Sequence, residues 1–398
     1  MRTFFVYLTN VYSFVLFVII SLVAVPISIL LRRKNNPWVI GGHRGRLYDD
    51  NSGALHDYIT SHTRQDIIWI TSSSSVFDEL TARKLRVLHR NRLAARLAIL
   101  KAPVLIYSHG EDDLDLFLLL WRNILGTKIM LNHCMHHLKS SGCTLKSYIS
   151  APPIVKYLYR KFVFINFDFL LVSSERERQK FSRTLPHYAT KMVLGGGAHL
   201  DYFFSNRHRP TNNRIIYFPT HRESKTGKQM LDAVKLQIQS NKKLIEYLRR
   251  EGLKFVFCTH INTSPSTLEG LADCFEVKVD FKDIKEELTT CALLISDYSS
   301  LSLDYMVFDK LLVYFPFDLE DFTIRRNFHT PTPFLEKQPG PVAFNLTELI
   351  QIITTNQWRN KAAYAATRAF WDQELFPYQA PVYAEQSYQK IVELIGGG

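Results

Sequence analysis

The chain has 398 residues, enough for two α/β cores rather than one. Hydrophobic residues make up 46% and charged residues 22%, an ordinary globular balance that excludes a disordered chain. A formal net charge of +12 at pH 7 calls for an anionic partner, whether phosphate, an acidic membrane surface or nucleic acid. The five cysteines (Cys134, Cys143, Cys258, Cys274, Cys291) are scattered and form no C-x-x-C pair, which fits reduced thiols in a cytosolic compartment.

The first element is an uncharged run from Phe4 to Leu31, closed by Arg32-Arg33-Lys34. Roughly 20 apolar residues cross a bilayer as a helix, so the run predicts a membrane anchor over residues 1–36. The basic cluster, reinforced by Arg44 and Arg46, outweighs Arg2 and keeps the bulk of the chain on the cytoplasmic side of the inner membrane. Pro26, Tyr7, Asn10 and Tyr12 leave an interfacial or re-entrant helix open, and a buried helix is the third reading. Short apolar runs then alternate with helical patterns. Strands are expected at Trp38 to Ile40, Ile67 to Thr71, Val104 to Tyr107, Lys128 to Leu131 and within Val163 to Val172. Helices are expected over Gly53 to Thr63 and Leu80 to Leu100. Gly195-Gly196-Gly197 suits a hinge, which places an N-terminal domain at 37–195 and a C-terminal one at 196–398. The second half repeats the rhythm, with strands at Arg214 to Phe218, Lys254 to Cys258, Phe275 to Val279 and Leu293 to Ile295, a helix over Gln229 to Arg250, and helices from Thr347 onward. The class is therefore α/β, two Rossmann-like domains facing a cleft behind an N-terminal hydrophobic helix, with ligands at the carboxyl ends of the strands.

The densest signal is Cys291 to Phe322. An apolar run ends in Ser296-Asp297-Tyr298-Ser299-Ser300, a helical pattern follows from Leu301 to Phe308, and a second apolar run covers Leu311 to Phe315. A hydroxyl-rich turn at a helix start offers free N–H groups and the positive end of the helix dipole, which suits a phosphate; a plain helix cap is the alternative. Asp304 lies one turn beyond Ser300 on the same helix face.

Asp297-Tyr298-Ser299-Ser300, Asp304-Tyr305, Lys310, Asp318-Leu319-Glu320 and Pro339-Gly340-Pro341, in this order, resemble the C-terminal signature of the CDP-glycerol glycerophosphotransferases, the teichoic acid and capsule polymerases. The resemblance is strongest from Ile215 to Pro341 and traceable back to Ile129. It implies a glycosyltransferase-B-like fold with the nucleotide held mainly by the C-terminal domain. Leu131-Asn132-His133-Cys134-Met135-His136-His137-Leu138-Lys139 is similar to the family's histidine motif, which implies a catalytic His133 with Cys134, Met135 and Lys139 on the donor. Cys134 stands where the family has glycine. Thr259-His260-Ile261, at the end of a strand, falls on the second functional histidine, so His260 is the other implied catalytic residue and Thr259 and Ile261 its donor-side neighbours. Pro219-Thr220-His221-Arg222-Glu223 is similar to Pro-Thr-x-Arg-Asp, with Glu223 for Asp. Arg222 is either a phosphate clamp or the partner of Glu223 or Asp201. Gly196 to Asp201 matches Gly-x-Pro-Arg-x-Asp, except that Ala198-His199 replaces Pro-Arg, so His199 inherits the donor contact.

The resemblance implies transfer of glycerol phosphate from CDP-glycerol to a hydroxyl of a lipid-linked or polysaccharide acceptor, releasing CMP, with Ser299, Ser300 and Asp304 on the donor. No cofactor or metal is expected, since the His133 to Cys143 cluster matches no closed zinc spacing. Asp112-Asp113-x-Asp115 reads as a solvated acidic helix start, and Ser108-His109-Gly110 ends a strand that can line the same cleft. The alternatives are a capsule glycosyltransferase using CDP-ribitol or a sugar nucleotide, and a membrane-tethered binding protein without turnover. Nucleic acid is not an expected partner, because the Arg83 to Lys101 stretch lacks interleaved aromatics.

Overall fold

A computed structural model describes residues 26–115, 126–132, 167–184, 186–220, 222, 224–258, 271–278, 281–326 and 337–396. They divide into two compact units: one runs to Asp201 and resumes at Val382, the other is Tyr202–Pro381. The division thus falls after Asp201 rather than at 195/196, and the last helix, Tyr383–Gly396, belongs with the first unit.

The first unit holds seven parallel strands: β1 (Trp38–Ile40), β2 (Ile67–Thr71), β3 (Val87–His89), β4 (Val104–Tyr107), β5 (Thr127–Met130), β6 (Phe169–Val172) and β7 (Met192–Leu194). Their order is β3-β2-β1-β4-β5-β6-β7. Alternate residues of the apolar runs serve opposite faces, as the two-residue period of a strand requires. Val39, Ile68, Ile70 and Leu105 pack with Ala95 and Ile99 of the helix Leu93–Lys101. Trp38, Ile40, Trp69 and Ile106 pack with Leu55 and Ile59 of the helix Asp50–His62 and with Ala384 and Ile391 of the last helix.

The single helix expected over Leu80 to Leu100 is instead two helices, Ser74–Ala82 and Leu93–Lys101, with β3 between them. Lys84, at φ 59°, ends the first helical stretch in a left-handed turn. Gly195-Gly196-Gly197 is a tight crossing and not a hinge. A Cβ on Gly196 would lie 2.7 Å from the Leu171 carbonyl oxygen, and Ser387 Oγ donates to the Gly195 carbonyl at 2.5 Å.

The second unit is a five-stranded parallel sheet of β8 (Arg214–Phe218), β9 (Lys254–Cys258), β10 (Phe275–Lys278), β11 (Leu293–Ser296) and β12 (Leu312–Tyr314) in the order β10-β9-β8-β11-β12. The helix expected over Gln229 to Arg250 is broken at Asn241, whose Oδ1 accepts the Leu244 amide at 3.0 Å and starts a new helix, Lys242–Arg250, after Lys225–Ser240. The Leu301 to Phe308 helix is a short α-turn, Leu301–Asp304, continued by the 3-10 turn Tyr305–Val307.

The two sheets share a doubly wound plan in which the direction of winding reverses once. The reversal falls between β1 and β4 in the first unit and between β8 and β11 in the second. Loops leaving the carboxyl ends of those strands flank the crevice where such sheets take ligands. No helix among the described residues is long and apolar enough to cross a membrane. Residues 4–25 of the expected anchor lie outside the described residues.

Candidate functional site

In the second unit, the exits of β8 and β11 are joined by a buried charge network. Arg222 is 4% exposed. Its Nε donates to Asp318 Oδ2 at 2.7 Å, Nη2 donates to Asp318 Oδ1 and to Asp297 Oδ2 at 2.8 Å each, and Nη1 donates to the Thr220 carbonyl at 2.5 Å. Asp297 Oδ1 accepts the amides of Thr220 at 2.8 Å and Tyr298 at 2.6 Å. Tyr298 stacks on Phe322 with centroids 4.0 Å apart, and the guanidinium carbon lies 4.9 Å from the Phe322 ring centre. Burial alone would lower the Arg222 pKa, but the charges of Asp297 and Asp318 outweigh it and keep the guanidinium charged. Arg222 is therefore paired with Asp297 and Asp318 and not with Asp201. It is the frame that fixes two strand exits against each other.

That frame presents hydroxyls. Ser299 is 8% exposed, and its Oγ accepts the Leu301 amide at 3.3 Å. Ser300, half-buried at the start of the short turn, makes no side-chain capping bond. Thr220, beside Pro219, is 7% exposed, and its hydroxyl has no hydrogen-bond partner among the described residues. A buried hydroxyl left so costs about 1–3 kcal/mol, which a ligand oxygen can recover. Asp304 is buried at 5% exposure. Arg368, which no sequence pattern singled out, is 8% exposed and donates to the carbonyls of Met306, Phe308 and Lys310, closing the far end of this segment.

In the first unit, the matching loops carry imidazoles. After β1 the chain passes Gly41-Gly42 and turns left-handed at His43 (φ 48°) and Arg44 (φ 57°). After β4 it passes Ser108 and His109. Asp113 welds the two loops: fully buried, it accepts the amides of Arg44 at 2.6 Å and of Ser108 and His109 at 2.8 Å each. Burial nonetheless pushes its pKa up. The acidic run is thus no solvated helix start, because its central carboxylate is an internal bracket. The His43 and His109 rings stand 4.2 Å apart.

A second network fixes the exit of β5. Asn132, at φ 61°, donates from Nδ2 to Glu177 Oε1 at 2.9 Å, and its carbonyl accepts from Asn51 Nδ2 at 2.9 Å. Glu177 also accepts from the amide and hydroxyl of Ser173 at 2.8 and 2.9 Å. Asn51 Oδ1 accepts the His199 amide at 3.0 Å and lies 2.7 Å from its Nδ1. His199 is 5% exposed and enclosed within the first unit, where Asp50 is 3.9 Å away. His133, Cys134, Met135, Lys139, Thr259, His260 and Ile261 lie outside the described residues. Asn51, Asn132 and Glu177 escaped sequence reasoning because each is a common polar residue, and the bonds that join them to one another and to His199 span 45 to 148 positions.

Two doubly wound parallel sheets of this plan make an α/β glycosyltransferase-like fold. The chain belongs to the family described as CDP-Glycerol:Poly(glycerophosphate) glycerophosphotransferase, which matches residues 24–395. The teichoic acid ribitol-phosphate polymerase TarL of Staphylococcus aureus is 26% identical over 149 residues, covering 37% of this chain and 26% of the relative. The teichoic acid poly(ribitol-phosphate) polymerase of Bacillus spizizenii is 22% identical over 220 residues, covering 52% of this chain and 35% of the relative. The chain thus spans 26% and 35% of the length of these curated relatives. Among solved structures, the wall teichoic acid polymerase TagF superposes with a TM-score of 0.66 at 18% identity, over 92% of this chain and 89% of that one. A TagF variant soaked with CDPG reaches 0.68 at 17% identity, over 98% and 97%.

Proposed function

We propose that the chain transfers glycerol phosphate from CDP-glycerol to a hydroxyl of a lipid-linked or polysaccharide acceptor in teichoic-acid-like or capsular polymer synthesis. The observation that carries this reading is the family match across residues 24–395, which takes in both units. The donor's phosphates are assigned to the β8 and β11 exits of the second unit, on Thr220, Ser299 and Ser300, with Asp304 behind them. Arg222 acts there through Asp297 and Asp318, by holding the loop that presents these hydroxyls. No metal is assigned to this donor subsite, where N–H and hydroxyl donors face the anion.

In the transfer, the acceptor oxygen attacks the phosphorus next to the glycerol, the bond from that phosphorus to the CMP oxygen breaks, and the acceptor proton passes to His133. His260 stabilises the departing CMP. Such reactions are driven chiefly by positioning and charge stabilisation. The rigid seating of Asn132 immediately before His133 supports that assignment. The decisive measurement is mass-shifted transfer from CDP-glycerol to a membrane extract; a His133→Ala chain that turns over undiminished removes that residue from the mechanism.

CDP-ribitol is the second donor reading, favoured by the ribitol-phosphate names of both curated relatives. Calorimetry with the two CDP-polyols separates them. A glycosyltransferase-B-like fold and the cytoplasmic face of the inner membrane complete the proposal. Its support for the membrane is the uncharged Phe4 to Leu31 run ahead of Arg32-Arg33-Lys34, whose described end leaves Ile29 and Leu30 63% and 67% exposed. A chain lacking residues 1–34 that still pellets with membranes after a carbonate wash would place the attachment elsewhere.

A further inference from the structure

The winding reversal of the first sheet brings together three residues that the transfer chemistry does not use. His43 leaves β1, His109 leaves β4, and Asp50 opens the helix Asp50–His62. One nitrogen of each imidazole and one carboxylate oxygen lie within 4.8 Å of one another, all half-buried. The backbone beneath them is unusual. His43, Arg44 and Asp50 have φ values of 48°, 57° and 62°, in the left-handed region that costs an ordinary residue of order 1–3 kcal/mol. Such strain persists only where surroundings enforce it, and here they do. Asp113 brackets both loops, and Gly41 and Gly42 lie so close that an added Cβ would meet Asp113 O at 2.8 Å and Ser52 Cβ at 3.1 Å. The His109 ring is fixed in turn: its Nδ1 lies 2.9 Å from Ser108 Oγ and 3.2 Å from the His43 amide nitrogen.

We propose that His43, Asp50 and His109 form a binding site for a divalent transition-metal ion at the carboxyl edge of the first sheet. Two imidazoles and a carboxylate suit a first-row ion such as Zn²⁺, and three protein ligands leave a coordination position open, the pattern of sites that bind a substrate oxygen. Closing the three atoms onto an ion with bonds of about 2.0–2.2 Å needs side-chain shifts of about 1 Å. A carboxylate facing two imidazoles argues for a cation in their midst, since Asp50 would repel an anion. The open position takes a phosphate or hydroxyl oxygen of an acceptor chain; this last point alone rests on the transferase reading. The ligands come from positions 43, 50 and 109, so no sequence spacing announces them.

The test uses the full chain, stripped with chelator and titrated with Zn²⁺ by calorimetry and by thermal melting. One equivalent bound, with a raised melting temperature, is the expected result. Asp50→Asn and His43→Asn keep a residue type that tolerates a left-handed backbone, so both should fold while binding Zn²⁺ at least about 10–100-fold more weakly. His62→Asn, on the exposed end of the same helix, should bind as wild type does. Failure of the stripped wild-type chain to take up one equivalent overturns the site, as does undiminished uptake by both variants. A second titration measures glycerol 3-phosphate with and without Zn²⁺. Affinity that requires the ion supports the open-position assignment, and equal affinity overturns it while leaving the metal site standing.

Discussion

The two sheets follow one winding plan, yet their central edges are chemically opposite. At the β8–β11 edge, Arg222, Asp297 and Asp318 are each less than 5% exposed and pair with one another, so the charge is consumed internally and hydroxyls face outward. At the β1–β4 edge, the buried Asp113 accepts backbone amides, and two half-buried imidazoles stand beside it, His43 on left-handed backbone. One edge is a rigid frame in which one guanidinium ties down two carboxylates and leaves hydroxyls to meet a ligand. The other carries imidazoles and a carboxylate, groups that can ligate a cation. A shared fold therefore says where ligands go, and the loops say what kind.

The largest effect should come from breaking the frame. Arg222→Met leaves two carboxylates buried together, and removing one partner of such a network costs about 3–5 kcal/mol. Urea denaturation should show this loss, accompanied by weaker donor binding. If Arg222 were instead a direct phosphate ligand, stability would hold and only donor affinity would fall.

The first unit should be the acid-sensitive one. His56, on the helix Asp50–His62, is fully buried, Tyr48 Oη lies 2.8 Å from its Nδ1, and burial lowers its pKa from 6.5 to about 4. The unfolded chain binds this proton near pH 6.5 and the folded chain only near pH 4. Folding stability is therefore fully present above pH 6.5 and lost as pH falls toward 4, by up to about 3 kcal/mol at 1.36 kcal/mol per pH unit. Denaturation midpoints measured across that window should drop in wild type and flatten in His56→Gln. An equally steep slope in the variant would assign the acid sensitivity to other groups.

A smaller and more local effect is expected for Ser300→Ala. Loss of one hydrogen bond to a charged phosphate costs about 1.5–3 kcal/mol, read as weaker CDP-glycerol binding with an unchanged melting temperature. Thr220→Val should behave alike, because that hydroxyl has no partner among the described residues. Unchanged donor affinity in both variants would move the donor away from this edge.

The strands were legible because apolar runs such as Ile67–Thr71 and Leu293–Ser296 are buried on both faces and bounded by polar turns. β3 and β7 were not: β3 is half-buried throughout, and β7 runs from buried to exposed within three residues. Asn241 and Lys84 broke two helices that periodicity alone would have continued. Ser299 and Ser300 could be placed from local order, since strand, turn and helix are contiguous there. Arg222 could not: its true partners, Asp297 and Asp318, lie 75 and 96 residues away, and a guanidinium at a strand exit looks the same whether it serves ligand or loop. Strand order was equally hidden, and with it the meeting of His43 and His109.

The finest distinction concerns Asn132, the last described residue before His133. Its φ of 61° is a conformation that asparagine and glycine adopt and alanine resists by about 1–2 kcal/mol. Its side chain separately binds Glu177, so backbone and side-chain roles can be parted by two substitutions. Asn132→Gly gives up the Glu177 bond and keeps the turn; Asn132→Ala gives up both. If the turn aims the following residue, alanine should lower kcat for transfer well below the glycine variant, while donor KM stays the same in both, because the proposed donor edge lies in the second unit. Glycine should also be the more stable of the two, by about 1–2 kcal/mol in urea. Equal kcat values would mean that only the Glu177 bond matters, and that the left-handed turn at the end of β5 is a consequence of packing without a part in the chemistry.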